Sequence, residues 1–137
     1  MVLKQIPKNK NIAPGFIPNE IKFHALATKA APEMVAQLYE WYDRGGNYVL
    51  VMEYPEDSLD LFQISQKYGA INVTSIQSIM YQVVFTSLKL RAAGIIHHDI
   101  KDENILVNPN TLKCKFIDFG CAKERSQDIV SILFFLI

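Results

Sequence analysis

Charge of one sign is missing from this chain. Fourteen lysines and arginines face fourteen aspartates and glutamates among 137 residues, so the formal net charge is zero. That balance argues against a nucleic-acid binder and against a binder of anionic membranes, both of which need a basic excess. Cysteine is scarce: Cys114 and Cys121 are the only two. Their spacing builds no disulfide framework, which fits a reducing compartment better than a secreted scaffold. The opening "MVLKQIPKNK" lacks the apolar stretch of a signal peptide. The C-terminal "IVSILFFLI" is apolar but has nine residues, about half of the ~20 that cross a bilayer. Internal repeats and low-complexity linkers are absent as well. Half the residues are apolar and a fifth are charged, a globular composition at a length that predicts one domain.

Local signals predict mixed structure. "MVLKQI" reads as a strand ended by Pro7, and residues 9–18 carry loop punctuation. Asn19 is expected to cap a helix that Pro32 stops. "MVAQLYEWYD" and "NYVLVMEY", separated by "RGG", predict an antiparallel hairpin. A short helix is expected around Leu59–Gln66. Asn72 caps a long helix reaching about Ala92, with Ile76, Ile79, Met80, Val83, Val84 and Leu88 at helical spacing, and Gly94 suits its C-terminal turn. "ILVNP" and "KCKFID" then read as two short strands joined at "NPNT".

Between the long helix and that hairpin stands "IIHHDIKDENILV", residues 95–107, with six ionisable side chains flanked by apolar runs. His97, His98 and the cysteines match no standard zinc spacing. Asn104 follows Asp99 by five residues, and Asp118 of "DFG" follows Asn104 by fourteen. A phosphoryl-transfer site needs such parts: a carboxylate beside the attacking hydroxyl, and an amide oxygen and a second carboxylate as hard ligands for Mg²⁺. The ordered set H-x-D-x-K-x-x-N followed by DFG is far more specific than any one residue in it.

This set resembles the catalytic and metal loops of eukaryotic protein kinases, and the rest of the chain follows the resemblance in order. "VLK" at 2–4 is similar to the strand whose lysine, here Lys4, holds the α- and β-phosphates. Glu20 stands where the family has the helix glutamate that pairs with it. "LVMEYPED" at 50–57 resembles the hinge between lobes, with Met52 as gatekeeper. "PNE", "EYPE", "DLF" at 60–62 and "HHDIKDENILV" are most similar to the Pim family of serine/threonine kinases.

The resemblance implies an α+β protein kinase-like fold, incomplete in extent, over residues 1–137. Its parts are an N-lobe portion at 1–52, a hinge at 53–57, a C-lobe portion at 58–123 and a divergent tail at 124–137. No Gly-rich loop precedes Lys4 and no "APE" follows Lys123, so a partial domain is expected. The implied cofactors are ATP and Mg²⁺. Asp99 and Lys101 would be catalytic; Lys4, Glu20, Glu53, Asp60, Glu103 and Leu106 would face the nucleotide; Asn104 and Asp118 would hold the metal. Lys101 follows the serine/threonine pattern, so the implied partners are proteins with Ser/Thr acceptors, with Arg/Lys-rich contexts favoured by acidic residues at the cleft. Nucleic acid and membrane are not expected partners, and the expected location is the cytoplasm, with the nucleus second. The alternative is a catalytically inactive kinase-like fragment that acts by binding.

The chain also departs from the family pattern. Val2 replaces the usual alanine near adenine. His24 occupies a place where the family usually has an apolar residue of the core stack, which weakens the expectation of an ordered, active placement of the helix at Glu20. His98 replaces an arginine that binds a phosphorylated activation loop, and Gln63 replaces an acidic residue. His97 is expected to stack on Phe119. Cys121 reads as an inert small residue, with an electrophile-reachable thiol as the sharper alternative.

Overall fold

The computed structural model describes residues 1–8 and 15–125. Residues 9–14 of the loop expected over 9–18 and the apolar run at 129–137 lie outside them. Strand β1 (Val2–Pro7), helix α1 (Asn19–Ala30), β2 (Leu38–Asp43) and β3 (Asn47–Met52) come first. The three strands form an antiparallel sheet in the order β1-β3-β2, with Val2 opposite Met52 and Pro7 opposite Asn47. The β2–β3 turn is closed by Gly45, whose φ of 77° suits glycine, and whose amide donates to Asp43 Oδ1. Side chains alternate along a strand, so Tyr48 and Leu50 point inward together and bury Ile21 of α1.

Helix α1 starts one residue earlier than expected. Pro18 is the N-cap and Asn19 the first helical residue, with no side-chain capping bond. The proline ring fixes φ, leaving Pro18 at φ −53° and ψ 142°, outside the helix. Its carbonyl then accepts from the Lys22 amide. The predicted hairpin also splits. Met34 to Ala36 leave β2 and bond instead to Phe116: Phe116 N–H donates to the Met34 carbonyl, and Ala36 N–H to the Phe116 carbonyl.

The remaining elements are β4 (Leu59–Asp60), α2 (Leu61–Tyr68), α3 (Val73–Ala92), β5 (Ile95–Ile96), a 3₁₀ turn (Asp102–Asn104), β6 (Ile105–Val107), β7 (Cys114–Phe116) and β8 (Lys123–Glu124). The short helix lies two residues beyond its predicted place because Leu59 and Asp60 pair with Val107 and Leu106. Asp60 then caps α2 with a reciprocal box: its Oδ1 accepts from Gln63 N, and Gln63 Oε1 accepts from Asp60 N. Asn72 caps α3 as predicted, accepting from Ser75 N, and Gly94 turns the chain at φ 82°. Strands β4, β6 and β7 form one antiparallel sheet, and β5 pairs with β8.

The main core gathers Phe23 and Ala27 of α1, Ile79, Val83 and Leu90 of α3, and Ile105, Val107, Phe116 and Phe119. Truncating a buried phenylalanine such as Phe116 to alanine costs about 3–5 kcal/mol. Four of the six apolar helix positions read as core are not in it: Ile76, Met80, Val84 and Leu88 are all exposed. Gln82 of α3 clamps the β6–β7 hairpin, donating to the Leu112 carbonyl and accepting from Cys114 N. Burial raises the Cys114 thiol to about 11, which makes it inert at neutral pH. Among the described residues no helix is long and apolar enough to cross a membrane.

Candidate active site

Two polar clusters form at the ends of the β6–β7 hairpin and the helix α1. The first is centred on Lys4. Its ammonium lies 2.6 Å from Glu20 Oε1 and 2.9 Å from Asp118 Oδ1. Burial alone would lower the Lys4 pKa, but hydrogen bonds to Glu20 and Asp118 outweigh it and the pKa is raised. Burial works the other way on Asp118, and there too the Lys4 and Gly120 donors win, so its pKa is lowered. Both groups are therefore charged at neutral pH. Asp118 holds φ at 61°, a conformation that a residue other than glycine adopts only when its surroundings impose it. Gly120 is closely flanked: a Cβ there would lie 3.1 Å from Asp118 Oδ1 and 3.4 Å from Glu20 Oε2.

The second cluster is the loop after β5. Asn104 Nδ2 donates to both the Asp99 carbonyl and Asp99 Oδ2, each at 2.8 Å. Lys101 Nζ lies 3.3 Å from the same Oδ2, and this partner raises the Lys101 pKa. Asp99 Oδ1 has no protein donor among the described residues. Asn104 itself is buried, and its Oδ1 is its only remaining acceptor.

Backbone bonds hold the clusters side by side. Ile117 N–H donates to the Asn104 carbonyl, which extends the β6–β7 ladder to the residue before Asp118. His97 Nε2–H donates to the Ile117 carbonyl at 3.0 Å while its Nδ1 accepts from Asp99 N at 3.3 Å. A carbonyl only accepts and an amide only donates, so the imidazole is neutral with its proton on Nε2. Burial lowers the His97 pKa in agreement. One side chain thus spaces the loop of Asp99 from the loop of Asp118.

Phe119 is wholly buried between two histidines. His97 lies 4.8 Å from it and His24 stacks at 5.1 Å. The His97–Phe119 contact was expected. The doubt attached to His24 is overturned: its Nε2–H donates to the Ala36 carbonyl at 2.7 Å, its ring replaces an apolar side chain in the stack, and α1 is ordered with Glu20 on Lys4. Burial lowers the His24 pKa and keeps the ring neutral.

The remaining expected ligand-facing residues occupy a rim along β4 and β6. Asp60 pairs with Leu106, and Leu106 pairs with Lys115 of β7. Lys115 Nζ in turn holds both carboxylate oxygens of Glu53, at 2.8 and 2.7 Å. The Glu53 side chain, which also accepts from Gln37 N, is thereby committed to the fold, and its backbone N–H donates to the Gln37 carbonyl. One Asp60 oxygen is committed to the helix cap. Glu103 is exposed in the 3₁₀ turn beside Asn104, and its charge helps raise the Lys101 pKa. Lys115 was missed at the sequence level, although the alternation of "KCKF" places it on the face opposite the buried Cys114 and Phe116.

A fold of this kind, with a lysine–glutamate pair, an Asp-x-Lys-x-x-Asn loop and a DFG loop set side by side, defines a protein kinase-like domain. The protein kinase domain family matches residues 1–131, and the chain belongs to it. Its relatives include the serine/threonine-protein kinase pim-2 of Danio rerio, 36% identical over 87 residues that cover 63% of this chain and 28% of the relative. Serine/threonine-protein kinase prk-2 of Caenorhabditis elegans is 32% identical over 113 residues, covering 81% of this chain and 25% of the relative. Homeodomain-interacting protein kinase 1 of the same organism is 35% identical over 96 residues, covering 68% of this chain and 11% of the relative. The chain therefore spans little more than a quarter of the length of these relatives at most.

Proposed function

We propose that the protein serves ATP-dependent phosphorylation of serine and threonine in other proteins. The observation that carries this reading is the juxtaposition of the Lys4–Glu20–Asp118 cluster with the Asp99–Lys101–Asn104 cluster across a hydrogen-bonded ladder. Asp99 Oδ1 accepts the hydroxyl proton and orients the nucleophile. Lys101, tethered to Asp99, faces the charge that builds on the transferred group. Lys4 meets the phosphates of the nucleotide, kept in place by Glu20.

Asn104 Oδ1 and the Asp118 carboxylate are the two protein oxygens suited to Mg²⁺, which keeps several waters and takes few protein ligands. When bound, Mg²⁺ neutralises phosphate charge. The fit of the donor set is good: both are hard oxygens, and Asp118 is ionised.

The finer reading is a Pim-like enzyme. Its support is the run of matching residues at 18–20, 53–56, 60–62 and 97–107. Pro55 lacks an N–H, so a hydrogen bond that an adenine would take from that backbone position is absent. Asp60 and Glu103 would favour basic residues before the acceptor. Cytoplasm and nucleus are the compartments that fit a protein with such substrates.

The test is labelling of a peptide array with γ-labelled ATP by the protein, followed by identification of the phosphorylated residue. Labelled serine or threonine in basic contexts, abolished by Asp99→Asn and by Asp118→Asn, is the expected result. Labelling that survives Asp99→Asn, or mainly phosphotyrosine, overturns it. ATP binding without transfer would instead favour the inactive binding fragment.

A further inference from the structure

A closed ring of contacts runs through Glu53, Gln37, Ala36, Phe116 and Lys115. Glu53 N–H donates to the Gln37 carbonyl at 2.8 Å, and Gln37 N–H donates back to Glu53 Oε2 at 3.0 Å. Ala36, the chain neighbour of Gln37, donates its N–H to the Phe116 carbonyl at 3.0 Å. Lys115, the chain neighbour of Phe116, returns to both carboxylate oxygens of Glu53. Of the non-covalent links in the ring, the Lys115–Glu53 pair alone is made entirely by side chains. Removing that pair opens the ring and leaves every backbone bond in place.

The ring ties together two regions that the proposed chemistry needs. Glu53 begins the segment that leaves β3. Lys115 stands three residues before Asp118 and opposite Leu106, which follows Asn104 by two. The Glu53 amide and carboxylate are both held, so its carbonyl is the polar group left over. Among the described residues no donor reaches that oxygen. It is an acceptor kept at a set place, suited to an amino group on a base.

We propose that Lys115 is a positioning residue for the nucleotide. Through Glu53 it sets the span between this carbonyl and the phosphate end of the site at Lys4, Asn104 and Asp118. The role rests on the nucleotide reading above and adds to it a residue whose own ammonium is committed to Glu53, away from base and phosphate. With the ring open, each end keeps its groups but their separation drifts. A ligand that must reach both ends then loses more than a ligand that needs the phosphate end alone.

The test is equilibrium titration of the dilute 137-residue chain with Mg–ATP and, separately, with Mg–tripolyphosphate, which carries the charge and lacks the base. Lys115→Met should weaken ATP binding by about 3–10-fold, the worth of one hydrogen bond, and leave tripolyphosphate binding unchanged. Lys115→Arg, whose guanidinium also spans both carboxylate oxygens, should restore ATP binding. Circular dichroism checks that Lys115→Met folds. Should it not, Lys115→Met/Glu53→Gln, which strands no buried charge, takes its place with the same expected result. An equal loss for both ligands overturns the proposal, since the pair then serves the fold alone. No loss for either overturns it as well. An unaltered chain that binds neither ligand overturns the nucleotide reading itself, and the role of Lys115 with it.

Discussion

Lys115 and Glu53 meet end to end, with one ammonium between both oxygens of one carboxylate. The pair joins the strand that leads into Asp118 to the segment after β3. Glu53 also receives the Gln37 amide, so three chain segments converge on it. Both side chains are about four-fifths buried, where water screens little and a deserted partner is left costly.

Lys115→Met should therefore destabilise the protein more than loss of an exposed ion pair would. A cost of about 1–3 kcal/mol is expected, read from urea unfolding. Glu53→Gln with Lys115→Met in a double-mutant cycle should give a coupling above ~0.5 kcal/mol. A coupling of zero would show the contact to be ornamental.

Stability should fall with acid in a window set by His24 and His97. Both have pKa values lowered below their ordinary 6.5 by burial. The unfolded chain then binds more protons than the folded one as pH drops past 6.5, so this contribution is full above that value and is lost below it. The urea midpoint should be lower at pH 5.5 than at pH 7.5, and His24→Phe should flatten the difference. Identical midpoints for the unaltered chain would refute the assignment of both rings as neutral. The lowered carboxylate Asp118 acts separately, at more acidic pH, as it protonates and releases Lys4.

Gly120→Ala tests the crowding around Lys4. The added methyl would press on Asp118 and Glu20, the two groups that hold the lysine. The gain from a stiffer unfolded chain, about 0.4–1 kcal/mol, offsets much of the strain. Stability should change little while Mg-dependent ATP affinity drops several-fold. Unaltered nucleotide affinity would mean that the carboxylates have room to spare.

The outer face of α3 predicts self-association of the 137-residue chain. Tyr81 stacks on Phe85, and Met80, Val84 and Leu88 stand beside them, each at least half exposed. Contiguous apolar surface of this kind seeks a cover. Sedimentation should show oligomers at micromolar concentration, and Val84→Lys/Leu88→Lys should shift them toward monomer. A monodisperse unaltered chain would contradict this.

Much of this was legible before the fold was known, and for identifiable reasons. Asn72, Gly94 and the Gly45 turn act on their immediate neighbours, so their effect is written locally. Asp99, Asn104 and Asp118 stand out by spacing and Lys101 by the resemblance, and the fold groups Asp99, Lys101 and Asn104 in one loop and sets Asp118 beside them. Strand β4 was not legible, because two residues make a strand only when β6 lies alongside. The pairing of Met34–Ala36 with Phe116 depends on a partner eighty residues away, beyond any local pattern. Helix α3 is apolar over so wide an arc that periodicity could not say which residues, such as Ile79 rather than Met80, would be covered. Lys115 hid because its carboxylate lies in another segment.

The placing of β1 has a kinetic consequence. Strands β2 and β3 are joined by a three-residue turn and can zip together early. Strand β1 pairs with the same β3 from the far end of the chain, residues 2–7 against 47–52, and closing so long a loop is slow. Lys4 should thus arrive after the β2–β3 hairpin has formed. Until it docks, Glu20 is without its cation. Pulsed hydrogen exchange during refolding should find the amides of Leu50 and Trp41 protected before that of Lys4.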